Sequence, residues 1–285
     1  MDEKSLKFMK SCGLVNALLK DASLAAKFDE YALWGRVSSQ YWCLLLREQP
    51  QFAAKCDKWG KFSVIDWHFL LECQPQFAEK CDEVDGWGEF NGSDWSRVLR
   101  KYPQFEGKCD KWGEFSVRDW SSLLEYQPQF AEKCDEHRGW CKFFGSDWSK
   151  LLRKYPQFAE KCDEYGGWCK FNGSDWSELL RKYLQFAEKC DEHRGWCKFF
   201  GSDWSKLLRK HPQFEGKCDE YGGWNKFSAD DWFRLLCGQT KLFVEKCPDD
   251  IYDRFSFEQW EKLESKNPGV FDEKHIFSSL RKLAR

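Results

Sequence analysis

The chain has 285 residues, 42% hydrophobic and 32% charged, a globular balance that excludes a disordered chain. Its 45 basic and 47 acidic residues leave a formal charge of −2, so no whole-molecule field favours nucleic acid or an anionic membrane. No apolar run approaches the roughly 18–20 residues that cross a bilayer, and residues 1–20 lack the uninterrupted apolar core of an export signal.

Residues 1–29 read as a worn copy of a unit that recurs through the chain, and hence as an N-terminal cap. Leu18-Leu19-Lys20 and Leu24 to Asp29 echo that unit, but Leu14 stands where later copies carry Trp. A terminal repeat departs from the pattern because one of its faces meets water.

Tandem repeats occupy residues 30–248. Eight Trp pairs mark them: Trp34/Trp42, Trp59/Trp67, Trp87/Trp95, Trp112/Trp120, Trp140/Trp148, Trp168/Trp176, Trp196/Trp204 and Trp224/Trp232. Members of a pair are eight residues apart, and successive pairs are 25 or 28 apart. The three extra residues fall between the Cys-Asp dipeptide and the next Trp. Asp57-Lys58-Trp59 is a short version, and Asp163 to Trp168, with Gly166-Gly167, is a long one. Length variation at a Gly-rich point predicts a surface turn outside the core. Lys133 to Lys154 and Lys189 to Lys210 are identical, at an offset of 56 residues, which marks duplication of a two-repeat block.

Each repeat is predicted to form two short helices. Ser146 is the expected N-cap of the first, and Trp148, Leu151, Leu152 and Tyr155 form one apolar stripe at i, i+3, i+4 and i+7. Pro156 ends that helix and suits the first position of the second, in which Phe158, Ala159 and Cys162 share a face. A unit this small buries too little apolar surface to fold alone, so it must stack on its copies. A degenerate copy and a cap fill residues 249–285, with Trp260 and Leu263 in the copy and Ile276 to Leu283 as an amphipathic cap. The fold class expected is all-α: a continuous α-solenoid of about eight to nine helix–turn–helix repeats with degenerate ends.

The pattern D-W-x-x-L-L-x-x-x-P-Q-F-x-x-K-C-D, carried here by Asp147, Trp148, Leu151, Leu152, Pro156, Gln157, Phe158, Lys161, Cys162 and Asp163, resembles the repeats of uncharacterised bacterial tandem-repeat proteins. The hairpin is also loosely similar to leucine-rich-variant repeats. Copies depart from the pattern at Leu184, where Pro is missing, and at Cys237 to Leu242. The resemblance implies a solenoid and brings no activity with it.

The cysteines recur at one column: Cys56, Cys81, Cys109, Cys134, Cys162, Cys190, Cys218 and Cys247. A small buried thiol filling an inter-repeat gap accounts for them. Cys134, His137 and Cys141 form C-x2-H-x3-C, repeated at Cys190, His193 and Cys197. Zinc needs a fourth ligand, and the intervening copy has Tyr165 in the His position, so no metal or other cofactor is assigned. Fifteen cysteines without an export signal point to a reducing cytoplasm.

No nucleophile elbow, zinc-protease motif, phosphate-cradling loop or dinucleotide fingerprint occurs, and the expectation is a protein without catalysis. The residues singled out for binding are basic ones at the end of the first helix: Arg153, Lys154, Arg181, Lys182, Arg209, Lys210 and His211. Tyr165 and Tyr221 join them on the loop edge. A basic row could engage an acidic partner protein, or phosphates of a nucleic acid with tryptophans stacking on bases. The bland account is that the cations favour a helix C-terminus and pair with neighbours such as Glu160. The function expected is a repeat scaffold for another protein. Nucleic-acid binding is the alternative, a structural spacer or self-assembling rod the third reading, and no membrane role is expected.

Overall fold

The computed structural model describes residues 3–271. The chain falls into two compact units, residues 1–142 and 143–285. Each is an all-α, solenoid-like stack of repeats, and no strand occurs among the described residues. The cap expected at Ile276 to Leu283 lies outside the described residues.

One repeat illustrates the build. Helix Gly145–Lys154 leads to a 3-10 turn, Pro156–Phe158, then to helix Ala159–Glu164, and a further 3-10 turn, Gly167–Lys170, carries the next Trp. The amphipathic stripe places Trp148, Leu151 and Leu152 inside. Tyr155 ends the helix at φ −132°, ψ 80°, which turns the chain into the second segment. The same bend occurs without proline. Gln239, inside helix Ala229–Phe243, has φ −142°, ψ 44°, and Leu184 still opens a 3-10 turn, Leu184–Phe186.

Ser146 is not the N-cap. The helix begins at Gly145, and Phe144 holds the cap position. The first helix starts in this column whichever residue holds it, Val64, Val117 and Ala229 included. At Gly145 the glycine serves a close approach, because a Cβ there would strike the Lys170 carbonyl of the following repeat. Other copies cap conventionally, as Asn172 accepts from the Asp175 amide at 2.9 Å while Asp175 Oδ2 accepts from the Asn172 amide at 3.0 Å.

The two residues of a Trp pair stack on one another in the pairs that begin at Trp34, Trp59, Trp87, Trp112, Trp168, Trp196 and Trp224. Trp168 and Trp176 lie 5.3 Å apart at 12°, with Phe186 5.5 Å from Trp168 and Phe171 4.8 Å from Trp176. The second Trp of each pair is buried throughout, and so are most of the first: Trp59 and Trp224 are half-buried. Ser177 Oγ donates to the Asp203 carbonyl at 3.0 Å, and Ser149 Oγ to that of Asp175 at 2.9 Å, which joins consecutive first helices.

The Gly-rich insertion is only half a surface turn. Gly166 is the turn, at φ +61°, a conformation that Arg138 and Arg194 also adopt at φ 52° in the same column. Gly167 is buried instead: a Cβ there would lie 2.6 Å from Cys162 Sγ and 2.8 Å from Trp148 Nε1. The glycine lets one repeat close on the thiol and indole of the repeat before it. Short copies carry Lys58 and Lys111 in that place, and there Cys56 and Cys109 are only half-buried.

Candidate partner-binding surface

The basic triplets lie along the ends of consecutive first helices in the second unit, and the structure links them from repeat to repeat. Lys182 Nζ donates to the Arg153 carbonyl. Lys210 Nζ donates to the Arg181 carbonyl at 2.5 Å, and His211 Nε2 lies 3.0 Å from the same oxygen. Each cation therefore caps the helix before its own, satisfying a carbonyl that the helix leaves unpaired. The helix-end position expected for these cations holds, as Arg153, Lys154, Arg209 and Lys210 lie in the last turns. Lys182 and Lys210, however, bond across repeats and pair with no carboxylate among the described residues.

Glutamine and tyrosine do the same work in other copies. Gln74 donates to the Arg47 carbonyl at 2.7 Å, Gln127 to that of Arg100 at 2.8 Å, and Tyr102 to that of Glu72 at 2.6 Å. Gln74, Gln127 and Tyr102 thus share the structural role of Lys182 and Lys210 in different chemistry.

The arginines differ from the lysines. Arg153 pairs with Glu178 of the next repeat at 2.5 Å and donates from Nε to the Ser149 carbonyl at 3.3 Å. Arg181 is half-buried, and its Nε is enclosed without a partner. Arg209 is exposed, with its stem against Gly238, and its carbonyl accepts from Gln239 at 2.9 Å. Lys154, Lys182 and Lys210 are exposed, Lys154 over the Tyr155 ring at 5.5 Å and Lys182 over Tyr183 at 5.4 Å.

Tyr165 and Tyr221 follow the second helices, apart from the lysine ends. Both are half-buried, beneath Lys161 and Lys217 at 5.9 Å. His193 occupies their column in the repeat between, with Nδ1 3.6 Å from Cys169 Sγ. Cys190 is buried, whereas Cys197 is exposed, so that motif splits between core and surface. No group of three His, Cys, Asp or Glu side chains placed to hold a metal occurs among the described residues.

The aspartates that follow the cysteine column, among them Asp163, Asp191 and Asp219, have structural partners as well. Asp191 Oδ1 accepts from Trp196 Nε1 at 2.8 Å and from Lys217 Nζ at 2.8 Å. Asp29 repeats this with Trp34 at 2.8 Å and Lys55 at 2.7 Å.

Sequence reasoning missed one pair of surface residues. Phe144 and Phe200 are 64% and 72% exposed, at a cap position held by Ser or Asn in the neighbouring copies. Phenylalanine accepts no hydrogen bond, and only half of each capping box survives, as Asp147 and Asp203 accept from the Phe144 and Phe200 amides at 3.0 Å. The signal was available: an aromatic residue in a column of helix caps.

No family model, curated protein or solved structure matches the chain. No helix of the described residues is long and apolar enough to cross a membrane.

Proposed function

We propose that the protein is a non-catalytic repeat scaffold that binds an acidic segment of another protein along the lysine edge of its second unit. The observation that carries this reading is the state of Lys182 and Lys210. Both are exposed, both donate to main-chain carbonyls, and neither pairs with a carboxylate among the described residues. Their ammonium groups are held in place with charge to spare, one per repeat, which suits an extended acidic ligand. The tryptophans that a nucleic acid would need for stacking are largely occupied in the core. A reducing cytoplasm is the compartment proposed, supported by fifteen free cysteines.

The test is affinity capture from native lysate with the wild type and with Lys154→Glu/Lys182→Glu/Lys210→Glu. A protein retained by the wild type, released by salt and lost in the charge-reversed variant supports the reading. Identical capture by both sinks it, and nuclease-sensitive capture moves the assignment to nucleic acid. A Phe144→Ser/Phe200→Ser variant distinguishes the lysine edge from the phenylalanine edge.

A further inference from the structure

We infer that a cleft in the first unit, between helices Gly92–Lys101 and Val117–Tyr126, binds a phosphomonoester carried by a small hydroxylated molecule. The cleft has a volume of about 360 Å³, and three guanidinium groups line it, those of Arg97, Arg100 and Arg118. None of the three forms an ion pair among the described residues. Arg100 Nη1 donates to Ser122 Oγ at 2.9 Å, and Arg97 Nη1 lies 3.4 Å from His68 Nε2. His68 is buried, and after burial itself the charge of Arg97 is the main influence holding its pKa below the usual value. Arg97 thus meets a ring nitrogen and pairs with no carboxylate among the described residues.

The one acid in the cleft wall is already engaged. Asp119 Oδ2 accepts from the Ser116 amide and hydroxyl at 2.9 and 2.7 Å, and Oδ1 accepts from Ser93 at 3.0 Å. One carboxylate against three guanidiniums leaves an excess of two positive charges, opposite to a phosphate dianion.

The second unit shows what closes such a cleft. There Glu178 stands in the column of Ser122 and pairs with Arg153 at 2.5 Å. In the first unit the carboxylate is missing and Ser122 is short, so the column is open. Arg100 meets the Ser122 hydroxyl and, 5.2 Å away, the face of the Tyr126 ring, neither of which neutralises it. Arg118 is a further local change, because its column holds Ser93, Ser146, Ser174 and Ser202 in four copies and no other basic residue in the rest. Planar guanidiniums match a tetrahedral phosphate with paired N–H donors better than they match a solitary carboxylate. The space exceeds one phosphate, and the remaining wall, with Ser93 and Ser96, is hydroxylated and suits a polyol carrier.

The inference is independent of the lysine edge, and its test uses the full chain. Calorimetric titration with glycerol 3-phosphate is expected to show saturable binding, with glycerol alone giving none. Arg118→Gln and Ser122→Glu should each weaken the affinity at least tenfold. Ser122→Glu supplies the missing carboxylate in a pairing the chain already tolerates at Glu178, so it tests the cleft even if Arg118→Gln fails to fold. Absence of saturable binding by the wild type, or unchanged affinity in the folded Ser122→Glu variant, overturns the assignment. Tighter binding of a phosphoserine peptide than of glycerol 3-phosphate also overturns it, in favour of a phosphorylated protein segment.

Discussion

Asp163 accepts the indole N–H of Trp168 at 2.8 Å, five residues along its own chain. The same oxygen lies 3.1 Å from Lys189 Nζ of the following repeat. One side chain thereby holds a core indole and a neighbouring repeat, and the two bonds differ in worth. Trp168 is buried, so an unpaired Nε1 would carry a desolvation penalty of about 1–3 kcal/mol. Lys189 is part-exposed, and such an ion pair contributes at most about 1 kcal/mol. Asp163→Ala is expected to destabilise by roughly 1–2 kcal/mol in urea unfolding, and Lys189→Met by under about 0.5 kcal/mol, with Asp163→Asn close to wild type. Equal losses for Asp163→Ala and Lys189→Met would show that the ion pair, not the indole bond, is what matters.

Gly166 and Gly167 are adjacent and answer to different forces. Gly166→Arg copies what Arg138 and Arg194 already do at positive φ and should cost about 1 kcal/mol. Gly167→Ala places a methyl against Cys162 and Trp148 and should cost roughly 2–3 kcal/mol, partly recovered by Cys162→Ala. Thermal unfolding of the three variants reads this directly, and a reversed order would place Gly167 at the surface.

That glycine pair shows where sequence reading ran out. Periodicity exposed the repeat, the Trp–Leu–Leu stripe and the buried cysteine column, because those depend on spacing within one copy. The role of Gly167 depends on the copy before it, which no single-repeat pattern encodes. The second segment makes the same point. Pro50–Lys55 is a 3-10 helix throughout, whereas Pro75–Phe77 yields to an α-helix, Ala78–Glu83, from nearly the same residues. Three residues of downstream slack decide between them, an override of local preference by packing. The lysines of the basic triplets were legible as surface cations, but their bonds to the preceding helix were not, since these span 29 residues. The arginine cleft was missed because it is a departure in one copy, and repeat reading averages such departures away.

Thiol reactivity should divide the cysteines sharply. Cys73, Cys141, Cys169 and Cys197 are exposed, whereas Cys81, Cys162, Cys190 and Cys218 are buried and burial raises their pKa values. Burial likewise pushes Cys43 up to about 12. Since the thiolate is the reactive form, iodoacetamide at mildly alkaline pH should label the exposed four first and the buried set only after unfolding. Mass mapping of early adducts at Cys162 or Cys190 would contradict the packing described.

Two classes of aspartate predict opposite responses to acid. Burial lifts the carboxyls of Asp175 and Asp203 above the ordinary value of 3.8. A folded pKa above the unfolded one means that the folded state takes up the proton first. Stability from this pair grows as pH falls through the raised value and levels off below 3.8. Asp219 behaves oppositely. The Trp224 indole bond, and then Lys246, hold its pKa down, so its contribution is full above 3.8 and is lost as pH falls through the lowered value. Asp175→Asn/Asp203→Asn should therefore gain most over wild type near pH 7 and least near pH 4, whereas the deficit of Asp219→Asn should shrink only in stronger acid. Melting temperatures across pH 3–7 measure both, and parallel profiles for the two variants would refute the assignment.

Each repeat is held by its neighbours through the second tryptophan of each pair, and Trp176 tests this. Trp176 is buried between the repeats of Trp148 and Trp204, and truncation to alanine should cost about 3–5 kcal/mol. Native-state amide exchange of Trp176→Ala should show protection lost in helices Gly145–Lys154, Gly173–Leu180 and Gly201–Lys210 and retained in Phe257–Lys266. Uniform loss across the second unit, or protection unchanged around position 176, would contradict nearest-neighbour stacking.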